Sequence, residues 1–284
     1  MTIKFIVNLI IALTFCSSAF LAVSYASPLN PLDIKVGDAS TYQGTDQGVN
    51  YTIDSEVTSI DQTTFPTATY VYEENRSNGE TTREWIEKAQ ETVKLWGTQE
   101  IATGEFIKFS AGLIWAWYPM QVGDQRYSSA TVKDNLYPGI ILNASLTVDV
   151  LSKESVILDF DTLEAFKMRY KLRLWITGYD ETTIFYSWVV PYLGEVKYQD
   201  DTSQEVLTNF AIAGGSITET TDFDGDGLKD YQELIKYDTN WEDADTDDDG
   251  FSDGVEVKLG TDPNDPNSHP SRAMPWIPLL LLYD

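Results

Sequence analysis

Histidine, cysteine and positive charge are all scarce in this chain of 284 residues. His269 is the only histidine and Cys16 the only cysteine. The chain therefore almost lacks the residues that form Ser-His or Cys-His nucleophile arrangements or zinc sites. Lysine and arginine total 19 against 45 aspartate and glutamate, which gives a formal net charge of −26. Because phosphate binding needs a basic surface, this balance argues strongly against nucleic acid and favours metal cations or basic partners.

Long apolar runs are also absent. The longest apolar run in the chain lies in a segment with the three parts of a secretory signal peptide. Lys4 supplies positive charge, residues 3–15 are almost wholly apolar, and Ser24 and Ala26 place small side chains at the two positions that signal peptidase reads. The run is shorter than the roughly 20 residues that cross a bilayer. We predict cleavage near Ala26, a secreted or periplasmic protein, and a mature chain with neither disulfide nor transmembrane span. A membrane anchor and a lipoprotein processed at Cys16 are the alternatives.

Residues 27–220 are typical of an antiparallel β domain. β-branched and aromatic residues alternate with polar ones, for example over residues 166–175, and turn signals such as Ser77-Asn78-Gly79 separate the runs. Residues 82–94 fit either a helix or two strands. Short strands at this spacing predict a mainly β fold with a curved or partly closed sheet. The apolar run 113–119 is either a buried strand or one wall of a hydrophobic cavity.

Two twelve-residue segments, 222–233 and 245–256, place carboxylates at positions 1, 3, 5, 9 and 12 and a glycine at position 6. Ca²⁺ takes six to eight oxygen ligands, and Mg²⁺ suits such flexible many-carboxylate loops less well. A neutral carbonyl at position 7 completes each set. Five carboxylates in twelve residues repel one another unless a cation lies among them. The ligands predicted from this spacing are Asp222, Asp224, Asp226, Leu228, Asp230, Glu233, Asp245, Asp247, Asp249, Phe251, Asp253 and Glu256.

The surroundings of these loops distinguish them from paired EF-hands. Only eleven residues separate the two loops, and a poor helix former, Gly-Gly-Ser-Ile-Thr, precedes the first. We therefore expect the loops to lack flanking helices. Residues 222–267 hold sixteen acidic and three basic residues, a net charge of −13. A disordered acidic tail is the simplest reading of such a block, but two tandem loops make that reading improbable.

This segment resembles thrombospondin type 3 repeats of bacterial exported proteins. The matching text is D-x-D-G-D-G-L-x-D-x-x-E, then D-T-D-D-D-G-F-S-D-G-x-E and G-T-D-P. The resemblance implies a calcium-wrapped segment with little regular structure and two or more Ca²⁺ ions. It also implies that spacer acids bridge neighbouring ions, which adds Asp243, with Asn240 or Asp265 as further candidates. Only two full loops are present, so the ion count stays open.

A second, weaker resemblance concerns residues 189–198, which look like part of the curved-sheet periplasmic domains of lipoprotein carriers. We predict four regions: a signal peptide at 1–26, a β domain at 27–220, calcium-binding repeats at 221–268 and an apolar tail at 269–284. The leading hypothesis is an exported, non-enzymatic calcium-binding protein with a β-rich binding or structural domain. Its partners would be calcium and either a hydrophobic small molecule or an extracellular protein.

Two alternatives stay open. The first is a periplasmic carrier that holds a lipid or hydrophobic ligand against some of four tryptophans, Trp115, Trp117, Trp175 and Trp188. The second is a hydrolase that uses two carboxylates about 5–10 Å apart. Asp159, Asp161 and Glu164 are close in sequence, although a solvated turn explains them more simply.

Overall fold

The computed structural model describes residues 34–89 and 91–270. The predicted signal peptide, Cys16 and residues 271–284 of the apolar tail lie outside the described residues. The chain divides into two compact units between Glu219 and Thr220. Within the described ranges, no helix is both long and apolar enough to cross a bilayer.

The first unit is one antiparallel sheet, and the fold is mainly β as the alternating pattern predicts. Each strand pairs with the next along the chain, and β12 also pairs with β1, so the sheet closes on itself. The strands are β1 (Ala39–Asp46), β2 (Val49–Asp61), β3 (Thr69–Arg76), β4 (Thr81–Ala89), β5 (Thr92–Glu100), β6 (Phe106–Trp117), β7 (Gln125–Asp134), β8 (Ile141–Ile157), β9 (Thr162–Ile176), β10 (Tyr179–Val190), β11 (Gly194–Gln199), β12 (Ser203–Ile212) and β13 (Ile217–Thr218).

Closure brings together strands that are far apart in sequence. The β1–β12 register runs from Ala39 opposite Ala211 to Asp46 opposite Ser203, with one bulge between Thr41 and Tyr42. Closure satisfies backbone donors and acceptors on strands that would otherwise be sheet edges.

The ambiguous segment at residues 82–94 forms two strands, β4 and β5, rather than a helix. Its four-residue spacing of Trp85, Ala89 and Val93 comes from a hairpin, in which Lys88 pairs with Val93 and Ala89 with Thr92. Trp85 joins a small aromatic cluster, with its ring centroid 4.7 Å from that of Phe106. Packing across the sheet therefore determines the secondary structure of this segment, whereas local spacing alone allowed either a helix or two strands.

Inward-facing apolar residues fill much of the closed sheet. On β8, the alternate residues Leu142, Ala144, Leu146 and Val148 are all fully buried. The ring of Trp115 on β6 lies 5.2 Å from Tyr170 and 5.7 Å from Phe185. The run 113–119 is thus largely buried strand.

The four tryptophans, some of which are predicted to line a cavity, lie on different faces. Trp115 and Trp117 are buried, at 3% and 1% exposure. Trp188 stands opposite Lys167 on β9 and Lys197 on β11, and both ammonium groups lie over its ring, at 4.9 and 4.5 Å. Trp175 is half-buried, with the Arg173 guanidinium 4.9 Å from its ring. On β10, Trp188 has the opposite parity to Phe185, which contacts Trp115, and on β9 Trp175 has the opposite parity to the buried Leu174, so both rings point away from the face that Trp115 occupies. Of the four tryptophans that the carrier hypothesis names, only Trp115 and Trp117 therefore share a strand face.

The second unit has little regular structure, as the resemblance implies. Its helices are α1 (Asp230–Gln232), which continues as a π-helical turn (Glu233–Tyr237), and α2 (Asp253–Leu259). Each begins at position 9 of a predicted calcium loop. The expectation that the loops lack flanking helices is therefore wrong on their carboxyl-terminal side. Acidic residues in the first turn favour these short helices through the helix dipole.

Candidate metal centre

Each predicted loop gathers three aspartates around one point. Oxygen atoms of Asp222, Asp224 and Asp226 all lie within 4.8 Å of one another, and so do those of Asp245, Asp247 and Asp249. These residues occupy positions 1, 3 and 5 of their loops. Carboxylates at this separation repel strongly in a partly buried site, so a divalent cation between them would remove the main electrostatic cost of the loop.

The glycine at position 6 has the conformation that the pattern requires. Gly227 has φ of 97° and Gly250 has φ of 92°, values that side chains with a Cβ rarely adopt. Position 4 is also left-handed in both loops, with φ of 77° at Gly225 and 62° at Asp248. Aspartate tolerates that region better than most residues. The two loops therefore reverse direction in the same way despite different residues at position 4.

The hydrogen bonds inside the two loops also correspond. The position 7 amides donate to the position 5 carboxylates, from Leu228 to Asp226 Oδ1 at 2.7 Å and from Phe251 to Asp249 Oδ1 at 2.9 Å. Through these bonds the position 7 residues, the predicted carbonyl ligands, are tied directly to an aspartate of each triad.

The position 9 aspartates are fixed from within their own loops. Asp230 Oδ1 accepts from the Phe223 amide at 2.7 Å, and Asp253 Oδ1 accepts from the Thr246 amide at 2.9 Å. The Thr246 hydroxyl also donates to Asp253 Oδ2 at 2.7 Å. Both carboxylates are buried, so they brace the start of the loop against the helix that follows it.

The position 12 glutamates are fully buried at the end of each loop. Neither oxygen of Glu256 has a hydrogen-bond partner in the described part of the chain, and neither does Oε2 of Glu233. A buried carboxylate oxygen without a donor is costly. Among the acids of the two loops, the same holds for one oxygen each of Asp224, Asp230, Asp247 and Asp249. This set of unpartnered oxygens fits a cation with many oxygen ligands.

Burial and mutual repulsion raise the pKa values of several acids in the two loops. The pKa of Glu233 rises to about 8, because its carboxyl is buried and faces the charges of Asp224 and Asp226. Burial, together with the charges of Asp249 and Asp247, raises the pKa of Glu256. The pKa of Asp224 is raised as well, by burial and by neighbouring aspartates. A bound divalent cation would displace the proton that Glu233 holds near neutral pH.

The two loops touch each other at Gly254. Its amide donates to Asp226 Oδ2 of the first loop. A Cβ at Gly254 would lie 2.6 Å from the Asp226 carbonyl oxygen and 3.0 Å from the Leu228 amide nitrogen. The charge of Asp226 also adds to burial in raising the pKa of Asp253. Asp226, a predicted metal ligand of the first loop, is therefore in direct contact with the second loop.

Some residues of this site were not predicted, and one predicted ligand lies apart. Thr246 and Gly254 occupy positions 2 and 10, which the calcium-loop pattern leaves free, so the pattern gives no signal for either. Asp243 is exposed in a turn, where its amide donates to the Asn240 carbonyl at 2.8 Å, and it belongs to neither triad. Its role as a bridging ligand stays a prediction, as do the individual ligand assignments in both loops.

His269 and the acids at the β8–β9 turn have simple structural surroundings. The exposed His269 ring stacks on Phe251, with centroids 5.8 Å apart. The Asp161 carbonyl accepts from the Leu158 amide within the turn, and the Glu164 carboxylate accepts from the Ser155 hydroxyl. These contacts agree with a solvated turn.

Comparison with known families supports the reading of the loops. Residues 222–240 and 245–266 match the model of the bacterial TSP3 repeat. The acidic segment carries TSP3 repeats. The resemblance stated from the sequence is thereby confirmed for the two matched ranges. Since TSP3 repeats suggest calcium binding, the two aspartate triads are candidate calcium sites.

Three solved structures of bacterial proteins are partly similar to this chain. A protein described as exported, with a YmcC-like fold, from Bacteroides fragilis is 12% identical, with a TM-score of 0.44 over 67% of this chain and 98% of that one. A protein described as a lipoprotein from Parabacteroides distasonis is 15% identical, with a TM-score of 0.39 over 62% and 95%. The hypothetical lipoprotein YmcC from Escherichia coli is 8% identical, with a TM-score of 0.34 over 60% and 83%. No curated protein matches the chain. These identities are too low to transfer a ligand or partner.

Proposed function

We propose that this is an exported calcium-binding protein in which Ca²⁺ orders the TSP3 segment attached to a closed β-sheet unit. The observation that carries the proposal is the pair of aspartate triads, each with oxygens within 4.8 Å, in tandem loops that match the TSP3 repeat. The unpartnered buried oxygens of Glu233 and Glu256 support it, because such oxygens suit metal ligation. Two or more ions are expected, one for each loop at least.

The role we propose for calcium is structural rather than catalytic. The predicted leader at residues 1–26 would direct the chain to a compartment where extracellular calcium modules work at Kd values of roughly 10⁻⁴–10⁻³ M. Five predicted carboxylate ligands in each loop favour the tighter end of that range. With no cysteine and one exposed histidine outside the leader, we assign the β-sheet unit a binding or structural role.

A matched pair of variants tests the proposal. Asp247 and Asp248 are adjacent and carry the same charge, but only Asp247 belongs to a triad. Asp248 lies at position 4 with φ of 62°, a conformation that asparagine adopts readily. Calorimetric calcium titration of Asp247→Asn should show an affinity roughly tenfold to a hundredfold lower for one site, as the loss of one ligand charge predicts.

The control, Asp248→Asn, should bind calcium with an affinity within about threefold of the wild type, since only long-range attraction is lost. Equal losses in the two variants would mean that calcium responds to overall charge rather than to a built site. An absence of calcium heat at millimolar concentration in the wild type would remove the proposal altogether.

A further inference from the structure

A cleft of about 680 Å³ lies on the β-sheet unit, lined by residues of β2, β3, β4 and the connection between β2 and β3. Ser59 of β2 stands opposite Val71 of β3, and Val71 stands opposite Trp85 of β4. Val71 alternates along β3 with the fully buried Tyr72, so this row lies on the outer face of the sheet. β2 has a bulge at Thr58 beside the row, and bulges are common next to functional sites because they re-aim side chains.

The connection between β2 and β3 forms one wall of the cleft, and hydrogen bonds to Asp61 hold it in place. Asp61 Oδ1 accepts from the amides of Thr63 at 2.8 Å and Thr64 at 3.1 Å. Asp61 Oδ2 accepts from Trp85 Nε1 at 2.9 Å. Phe65, from the same connection, packs near Trp85 with ring centroids 6.2 Å apart. The wall is thus fixed on the indole before a ligand arrives, which lowers the entropic cost of binding.

The floor of the cleft is apolar and includes an aromatic ring. Val71 and Trp85 line it and are each 7% exposed, and Ile60, which also lines it, is 49% exposed. Well-packed side chains of this kind form a rigid surface. Such a floor suits the apolar C–H face of a ring-shaped ligand, because contact removes apolar area from water.

The polar groups beside this floor place hydrogen-bond donors next to acceptors. Arg83 Nε donates to Glu73 Oε2 at 2.8 Å across the β3–β4 pairing. In the described part of the chain this is the hydrogen bond that the guanidinium makes, so its two terminal nitrogens are left for a ligand. The Arg83 side chain is 43% exposed. The exposed side chains of Ser59 and Gln62 add a hydroxyl and an amide to the lining.

The charged groups of the cleft disfavour a charged ligand. Glu73 is paired with Arg83, and Asp61 already accepts from backbone amides and an indole. A cation would meet the guanidinium, and an anion would meet the two carboxylates. A neutral ligand with several hydroxyl groups meets neither repulsion, and it can accept from the guanidinium while it donates to the carboxylate. We propose that this cleft binds a neutral saccharide, with one sugar ring against Trp85 and its hydroxyl groups on Arg83 and Glu73.

Saturation-transfer NMR tests the proposal with four neutral sugars: glucose, galactose, mannose and N-acetylglucosamine, each at millimolar concentration. The chain from Ser27 to Asp284 is used in calcium-containing buffer at about 150 mM salt, which screens weak surface attraction. We expect saturation transfer to the C–H protons of at least one sugar, with a signal that saturates on titration. Arg83→Gln should raise the Kd of that sugar at least tenfold, because hydrogen bonds to a charged group are lost.

The matched control is Arg173→Gln, which should leave the Kd unchanged. Arg173 also donates through Nε to an acid on the neighbouring strand, Asp180 of β10, at 2.8 Å, and its side chain is 47% exposed. Should Arg83→Gln fail to fold, as judged by circular dichroism, Glu73→Gln takes its place with the same expectation.

An absence of saturation transfer to all four sugars would overturn the proposal, as would equal Kd values in the cleft variant and the control. The lining residues of the cleft all lie outside the TSP3 loops. Failure of the sugar titration would therefore leave the calcium proposal standing, and failure of the calcium titration would leave the saccharide proposal standing.

Discussion

Replacement of Gly254 by alanine is predicted to weaken calcium binding, although this substitution usually stabilises a helix. Gly254 is the second residue of α2, where alanine gains about 1 kcal/mol in helix propensity. Against that gain, the new methyl would lie 2.6 Å from the Asp226 carbonyl oxygen. Overpacking of this kind costs about 1–3 kcal/mol.

The same substitution also disturbs the bond from the Gly254 amide to Asp226 Oδ2, and a hydrogen bond to a charged group contributes about 1.5–3 kcal/mol. The balance is unfavourable by roughly 1.5–5 kcal/mol, and its lower bound corresponds to about a tenfold loss of affinity. Because Asp226 belongs to the first loop, we expect calorimetry to show weaker binding at the first site as well as the second.

The control is Val255→Ala, the neighbouring position on α2, which is 40% exposed. It raises helix propensity with little loss of packing, so calcium binding should stay as in the wild type. Unchanged affinity in Gly254→Ala would refute the reasoning that the two loops brace each other.

Two further predictions concern protons and the closed sheet. In the calcium-free protein the pKa of Glu233 is about 8 against an ordinary 4.5, so the stability of the repeat falls as pH rises through that interval. Calcium binding near neutral pH should therefore release protons, and identical calorimetric heats in buffers of different ionisation enthalpy would contradict this. The Tyr51 hydroxyl donates to Glu205 Oε1 at 2.6 Å. Tyr51→Phe should therefore lower the free energy of unfolding in urea by about 1.5–3 kcal/mol, and an equal change in the exposed control Tyr127→Phe would contradict the contact with Glu205.

The calcium loops are visible in the sequence because their ligands lie within twelve residues of one another. The convergence of Asp245, Asp247 and Asp249 needs only a tight turn, and the glycine at position 6, Gly250, indicates such a turn in the sequence. The contact between Gly254 and Asp226 was not predictable, because it joins positions 28 residues apart and the first loop has Tyr231 in the place of Gly254. Spacing within a loop carries no information about how two loops pack.

The mainly β fold was predictable from alternation, whereas the inside and outside of the sheet were not. Residues 70–74 read Tyr-Val-Tyr-Glu-Glu, so each parity contains both an apolar or aromatic residue and one acid. The sequence alone cannot say that Glu74 faces inward and Glu73 does not. Closure of the sheet also depends on pairing between β1 and β12, which short-range patterns do not reveal.

The central claim is that the acidic repeat holds calcium, and native mass spectrometry of the chain from Ser27 to Asp284 tests it most directly. Spectra recorded with calcium, and again after chelation, count the bound ions one by one. We predict at least two Ca²⁺ ions per chain that chelation removes. A protein that carries no calcium under the first condition would contradict the account.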